Sequence, residues 1–124
     1  MKVIQTQKAP AAVGPYSQAI EVNGLIFTSG QLPIIPESGE LINDDIKKAT
    51  ARSLENIKEI LQVAGSSLDK VVKVNIFLKD MNDFSSVNEV YSEYFTTNKP
   101  ARSCVEVSKL PKDGIIEIEA VAEK

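Results

Sequence analysis

Two periods of hydrophobicity run along the chain, and their changes mark its elements. Ser17-Gln18-Ala19-Ile20-Glu21-Val22 and Leu25-Ile26-Phe27-Thr28-Ser29 are β-rich runs on either side of Asn23-Gly24. An Asn-Gly pair tolerates the two positive φ angles of a type I′ turn, so these runs predict a hairpin. A short strand at Lys2–Gln5 is expected before it, and Pro33, Pro36 and Gly39 predict a loop over 30–40. The period then lengthens. Ile46, Ala49, Leu54, Ile57, Leu61 and Ala64 recur at helical spacing, with Asn43, Asp44 and Asp45 as candidate N-caps and Gly65 as the stop. Val71–Leu78 returns to alternation, with Val72, Val74, Ile76 and Leu78 expected on the buried face and Val71, Lys73, Asn75 and Phe77 on the other. Asn82 or Asp83 is expected to cap a second helix that turns Phe84, Val87, Val90, Tyr91 and Tyr94 inward and closes before Pro100. Two strands, Arg102–Ser108 and Ile115–Ala122, finish the chain around Leu110-Pro111-Lys112-Asp113-Gly114.

The order is hairpin, helix, strand, helix, strand, strand. Strand–helix–strand connections favour parallel pairing and the hairpin is antiparallel, so the expectation is an α+β fold: a mixed β-sheet of about six strands with both helices on one face. Within the last strand Ile116, Ile118, Ala120 and Ala122 point toward the helices, while Glu117 and Glu119 point away. In the strand before it Arg102, Cys104 and Glu106 share one face, and Ser103, Val105 and Val107 the other. The sheet face away from the helices is too apolar for water yet carries charges that cannot be buried unpaired. Covering it with another copy of the chain satisfies both conditions, which predicts a homo-oligomer. No repeat or linker breaks the pattern, so residues 1–124 read as one domain.

Composition narrows the chemistry. The 124 residues hold 14 Lys+Arg against 17 Asp+Glu, a net charge of −3, with 43% hydrophobic residues. That is ordinary globular usage, not disorder. The acidic balance, with no basic aromatic-lined stripe, argues against a nucleic-acid partner. There is no His and one Cys, Cys104. Cys/His zinc sites, Ser-His-Asp and Cys-His nucleophiles and internal disulfides are therefore excluded, and neither a metal nor a cofactor is expected. Phosphate-cradling glycine motifs are missing too. No apolar run is long enough to span a membrane, and Met1–Lys8 lacks the apolar core of a secretory signal. The expected setting is cytoplasmic. Catalysis, if any, rests on carboxylates, Arg, Lys, Tyr, Ser, backbone amides or the lone thiol.

Several separate segments resemble one family. Gly14-Pro15-Tyr16-Ser17-Gln18-Ala19, Thr28-Ser29-Gly30-Gln31, Val87-Asn88, Pro100-Ala101-Arg102-Ser103-Cys104-Val105-Glu106-Val107, Leu110-Pro111-Lys112-Asp113 and Ile116-Glu117-Ile118-Glu119-Ala120 are similar, in order, to the RidA/YjgF family. The resemblance runs from about Ala9 to Ala122. It implies the YjgF (chorismate-mutase-like) fold, a homotrimer with sites in clefts between neighbouring subunits, and hydrolysis of reactive 2-imino or enamine acids to 2-oxo acids and ammonia. The implied substrates are 2-iminopropanoate and 2-iminobutanoate, products of pyridoxal-phosphate dehydratases.

The residue types suit that chemistry. Arg102 offers a planar fork for a carboxylate, and Glu117 a base for water attacking C2. Backbone groups near Gly30 and Cys104, with Ser29 beside them, suit the substrate's polar atoms. Tyr16, behind the rigid Gly14-Pro15, suits a closing hydrogen bond, and Asn88 an amide contact. Cys104 is expected to line the site without acting as a nucleophile, since no His activates it. Lys73, Lys79 and Lys109 read as surface charge. A carboxylate-binding Arg serves binding alone equally well, so a non-catalytic trimeric sensor of small 2-oxo or amino acids is the alternative; RNA cleavage finds no support in the charge.

Overall fold

Asn23 and Gly24 both take positive φ, 52° and 77°, as a type I′ turn requires. They join β2 (Ala19–Val22) to β3 (Leu25–Thr28). On the far side of β2, β1 (Lys2–Ile4) pairs antiparallel, with Ile4 opposite Ala19. The computed structural model describes residues 1–124. Its other elements are α1 (Ile46–Val63), β4 (Val71–Leu78), α2 (Phe84–Tyr94), β5 (Ala101–Glu106) and β6 (Ile116–Glu123). Six strands make one mixed sheet in the order β1-β2-β3-β6-β4-β5. Only β4 and β5 are parallel, because α2 carries the chain back to the starting end of the sheet between them. The expected α+β architecture is the observed one, and no helix is long and apolar enough to cross a membrane.

α1 begins where Asp45, extended at φ −147° and ψ 107°, accepts bonds from Lys47 N and Lys48 N at 3.0 and 3.1 Å. It ends in a Schellman arrangement: Gly65 at φ 83° donates to Gln62 O and Ser66 N donates to Leu61 O. Leu54, Ile57, Ile60 and Leu61 along its inner stripe are fully buried. Each contributes at most about 1.5–3 kcal/mol by leaving water.

The start of α2 departs from expectation. Neither Asn82 nor Asp83 caps it. The chain enters through a 3₁₀ turn, Met81–Asp83, capped by Asp80, whose carboxylate accepts Asn82 N at 2.9 Å. Asp80 is extended while Asp83 already has helical dihedrals and makes no cap bond; a capping oxygen reaches forward amides only from an extended residue. Glu106, at the end of β5, accepts Met81 N at 2.8 Å and ties the same turn to the sheet.

The expected faces of β4 are also corrected at its first two residues. Val71 opposes Ala122 but Lys73 opposes Val121, so Val72 is extra in a β-bulge. The bulge turns Val71 inward and Val72 outward: they are 4% and 42% exposed. From Val74 onward the alternation is as expected. Away from the helices, Val3, Phe27 and Val105 are exposed on the same face as Lys73, Glu117 and Glu119.

Two buried amides fasten the loops to this frame. Gln18 accepts Thr6 N at 2.7 Å and donates to Thr6 O, Ala9 O and Pro10 O. Asn56, fully buried on α1, donates to Leu32 O and Ile34 O at 3.3 and 3.0 Å and accepts from Arg52 Nε. Asn56→Ala removes both anchors of the 30–42 loop and leaves their carbonyls unpaired. The expected cost is about 2 kcal/mol, read as a lower urea midpoint at unchanged m-value and fixed protein concentration.

Candidate functional site

The loop after β3 is held against β6 by a two-bond bridge: Gln31 N donates to Ile118 O at 2.7 Å, and Ile118 N to Gln31 O at 3.1 Å. The residue before the bridge, Gly30, therefore passes directly over the neighbouring Glu117. A Cβ on Gly30 would stand 2.7 Å from Glu117 Cδ and 2.8 Å from Oε1, closer than carbon and oxygen pack, so glycine is what lets the backbone approach the carboxylate. Glu117 lines a cleft of about 510 Å³ together with Tyr16, Gln18, Ser29, Gly30 and Lys112. That volume suits a small-molecule site.

Glu117 is half-buried, and loss of water pushes its carboxyl above the ordinary value of 4.5, with the nearby Glu119 charge adding to the rise. Glu119 itself accepts Asn75 Nδ2 at 3.0 Å. Ser29 is fixed, its hydroxyl donating to Ser17 O and its amide to Gln18 O. Tyr16 stands at the mouth with its ring exposed, after Gly14 at φ 125°.

Arg102 is elsewhere. It opposes the buried Val74, so it shares the helix-covered face of the sheet, whereas Glu117 opposes Phe77 on the open face. Arg102 Nη1 donates to Asn88 Oδ1 at 2.8 Å, and its Cζ lies 4.7 Å from the Tyr91 ring centroid and 5.5 Å from that of Phe84. Asn88, Tyr91, Ser92, Lys99 and Arg102 line a second cleft of about 500 Å³. The chain's ion pairs are Lys47–Glu89, Lys79–Asp113 and Lys124–Glu21. Arg102 is in none of them. Cys104 follows on the same face, opposite Ile76, and burial pushes its thiol up while the Arg102 charge opposes the rise. Burial thus disfavours the thiolate form that a nucleophile needs.

The structure thus gathers Tyr16, Ser29, Gly30 and Glu117 into one cleft, and Asn88, Arg102 and Cys104 onto the opposite side of the sheet. Within one chain it does not bring the two sets together. Asn88 holds the arginine through its side-chain oxygen. No three His, Cys, Asp or Glu side chains converge to hold a metal. Three lining residues escaped the sequence reading. Gln18 sits in a β-run and reads as strand; Tyr91 falls at core spacing on α2 and reads as core. Lys112, left-handed at φ 58° on the cleft rim, gives no sequence signal beyond its place in a Pro-Lys-Asp-Gly turn.

Comparison with known proteins places this geometry. The family model described as endoribonuclease L-PSP matches residues 6–124. A RutC family protein of Pyrococcus abyssi is 61% identical over 123 residues, covering 99% of this chain and 97% of its own. The Escherichia coli K12 protein named "Putative reactive intermediate deaminase TdcF" is 46% identical, covering 98% and 95%. The crystal structure of E. coli TdcF with bound serine superposes with a TM-score of 0.96 at 44% identity over 100% of this chain and 99% of that one. A Yersinia pestis protein of the Rid family, YyfA, gives 0.97 at 49% identity, covering 99% and 98%. Motifs, sheet order and these full-length matches agree: the chain belongs to the RidA/YjgF family.

Proposed function

We propose that the chain is a deaminase of reactive 2-imino acids, working as a homotrimer in which the Arg102 cleft of one subunit faces the Glu117 cleft of the next. The observation that carries this reading is an arginine held by neutral partners and free of any carboxylate. Its charge awaits an external acid. A single chain keeps that cation and the Glu117 base on opposite sheet faces, and its open face carries Phe27 and Val105 uncovered. Packing against a second copy meets both needs.

In such a cleft the Arg102 fork grips the carboxylate of 2-iminopropanoate or 2-iminobutanoate, next to the electrophilic C2. Glu117 accepts a proton from water as its oxygen bonds to C2. Acting on the protonated imine, Glu117 returns that proton to the nitrogen of the carbinolamine and then takes the hydroxyl proton as the C2=O bond forms and the C–N bond breaks; ammonia leaves with that proton as ammonium and the 2-oxo acid remains. Ser29, the Gly30 backbone, Tyr16 and the Cys104 backbone complete the pocket. Protonated imines already react with water, so holding substrate and water together with one base suffices. The name and bound serine of TdcF support a small amino-acid-like ligand.

A coupled assay with a Thr/Ser dehydratase tests this by the loss of imine ultraviolet absorbance over buffer. Arg102→Ala lowers kcat/KM by about 100-fold, the worth of a charge-assisted pair, with the trimer mass unchanged in light scattering. Full activity in that variant overturns the reading. A protein that binds 2-oxobutanoate but never accelerates imine loss is a sensor instead, a role the free Arg102 fits equally.

The pH profile assigns the base. Glu117 acts only when ionised, so kcat/KM rises with pH as its carboxyl loses the proton; burial and Glu119 displace that limb upward, and an Arg102 presented by the next subunit displaces it downward. Glu117→Gln lowers kcat by about 10²-fold or more and abolishes the limb. Glu119→Gln removes the like charge that raises Glu117 and moves the limb to lower pH. A limb untouched by both changes assigns the base to another group. Gly30→Ala, whose methyl displaces the Glu117 carboxylate, lowers kcat in the same assay.

A further inference from the structure

A carboxylate-binding arginine is only as good as its posture before the ligand arrives, since ordering a long flexible side chain costs affinity. Arg102 has an unusual holder for a group of that kind. One bond, Nη1 to Asn88 Oδ1 at 2.8 Å, holds an edge of the guanidinium. Its carbon lies 4.7 Å from the Tyr91 centroid and 5.5 Å from that of Phe84, both within cation–π range. An acid in their place would hold the arginine but neutralise it. An aromatic face attracts the cation without consuming an N–H, and Asn88 takes one of five, so the rest of the fork stays available.

Tyr91 meets the guanidinium through its ring. Its hydroxyl is buried and has no hydrogen-bond partner, so the oxygen anchors nothing. The ring itself is braced: Phe95, one helical turn on and buried, lies 4.6 Å away between centroids at an interplanar angle of 33°. Burial pushes the phenol up, with the Arg102 charge opposing, so the side chain remains a neutral ring at neutral pH and never a phenolate counter-ion. We propose that Tyr91, backed by Phe95 and assisted by Phe84, is a positioning residue that fixes the plane of the Arg102 guanidinium and thereby sets the affinity of the site for a small carboxylate. The inference rests on the reading of Arg102 as the carboxylate holder; it adds the group that orients it.

Calorimetric titration of the full-length protein with pyruvate and 2-oxobutanoate tests it without requiring turnover. Tyr91→Leu is expected to weaken binding about five- to tenfold and to raise KM for the imine by a similar factor at nearly constant kcat. Tyr91→Phe, which keeps the ring face and drops only the unpartnered hydroxyl, recovers most of the loss. In ¹H–¹⁵N spectra the Arg102 Nε–Hε resonance, assigned by its disappearance in Arg102→Lys, moves when the Tyr91 ring current is removed and stays near its wild-type position in Tyr91→Phe. Phe84→Leu, a change at a partly exposed position, gives a smaller loss in the same direction and serves if Tyr91→Leu does not fold. Wild-type affinity in Tyr91→Leu, equal losses in the Phe and Leu variants, or an unmoved resonance overturns the inference. A wild-type protein that binds 2-oxo acids but hydrolyses no imine overturns the deaminase reading and leaves this one standing; one that binds no 2-oxo acid overturns both.

Discussion

The pleat of β4 governs the site. Its alternate residues face opposite sides of the sheet, so Val74 and its partner Arg102 look toward α2 while Phe77 and its partner Glu117 look away. A slip of one residue in either pairing would exchange every side chain between the faces and bury charges that lack partners. Register is therefore strongly specified here, by Ile76 and Ile118 on the inner face as much as by any turn. The consequence is a separation within a single chain: a cation on one side, a carboxylate on the other, and a wall of packed sheet between them. In the proposed trimer that wall becomes an advantage, because the two groups cannot neutralise each other inside one subunit.

The electrostatics of the two clefts differ in a way that suits such a pairing. Arg102 is stabilised by neutral neighbours, an amide oxygen and two rings, and keeps its full charge. Glu117 is destabilised as an anion, first by burial and then by Glu119. A free cation placed opposite would favour the ionised glutamate and lower its carboxyl value again. In the proposed trimer, assembly and ionisation of Glu117 would be coupled: a neighbouring subunit presenting Arg102 to the Glu117 cleft would raise the fraction of carboxylate available to take a proton from water. On the same proposal, a substrate carboxylate arriving on Arg102 would offset that effect and make Glu117 more strongly proton-accepting when substrate is bound.

Much of this frame was legible in the sequence because its signals are local. Asn23-Gly24 dictates its turn through backbone sterics, and Asp45 and Gly65 mark α1 through caps that need no tertiary partner. The inward face of β6 follows from strict alternation. The errors fall where a neighbour decides. Val71 and Val72 are chemically identical, so only the cross-strand count against Ala122 and Val121 reveals the bulge that assigns one inward and the other outward. Asp80, Asn82 and Asp83 are all capable caps, and backbone dihedrals rather than composition select Asp80. Grouping Arg102 with Cys104 and Glu106 was visible in the period of β5, but which way that set faces depends on parallel pairing with β4. Tyr91 and Phe84 carry the spacing of core residues; that their rings also meet a cation emerges only when α2 is laid over β5.

An acid at position 88 would hold Arg102 in place but would not substitute for the amide in the proposed site. Asn88 Oδ1 accepts one N–H from Arg102 at 2.8 Å in a partly buried setting. A carboxylate there would form a charge-assisted pair, shorter and stronger, and the local fold would gain from it. Yet the same pair would satisfy the guanidinium, leaving little net positive potential for an incoming acid, which would then have to displace an internal anion of equal charge. The amide is the weaker partner for stability and the better one for binding: it orients without neutralising. On the proposed reading of Arg102, that trade, made again by the aromatic faces of Tyr91 and Phe84, is what would distinguish an arginine held ready for a ligand from one that merely ties two elements together.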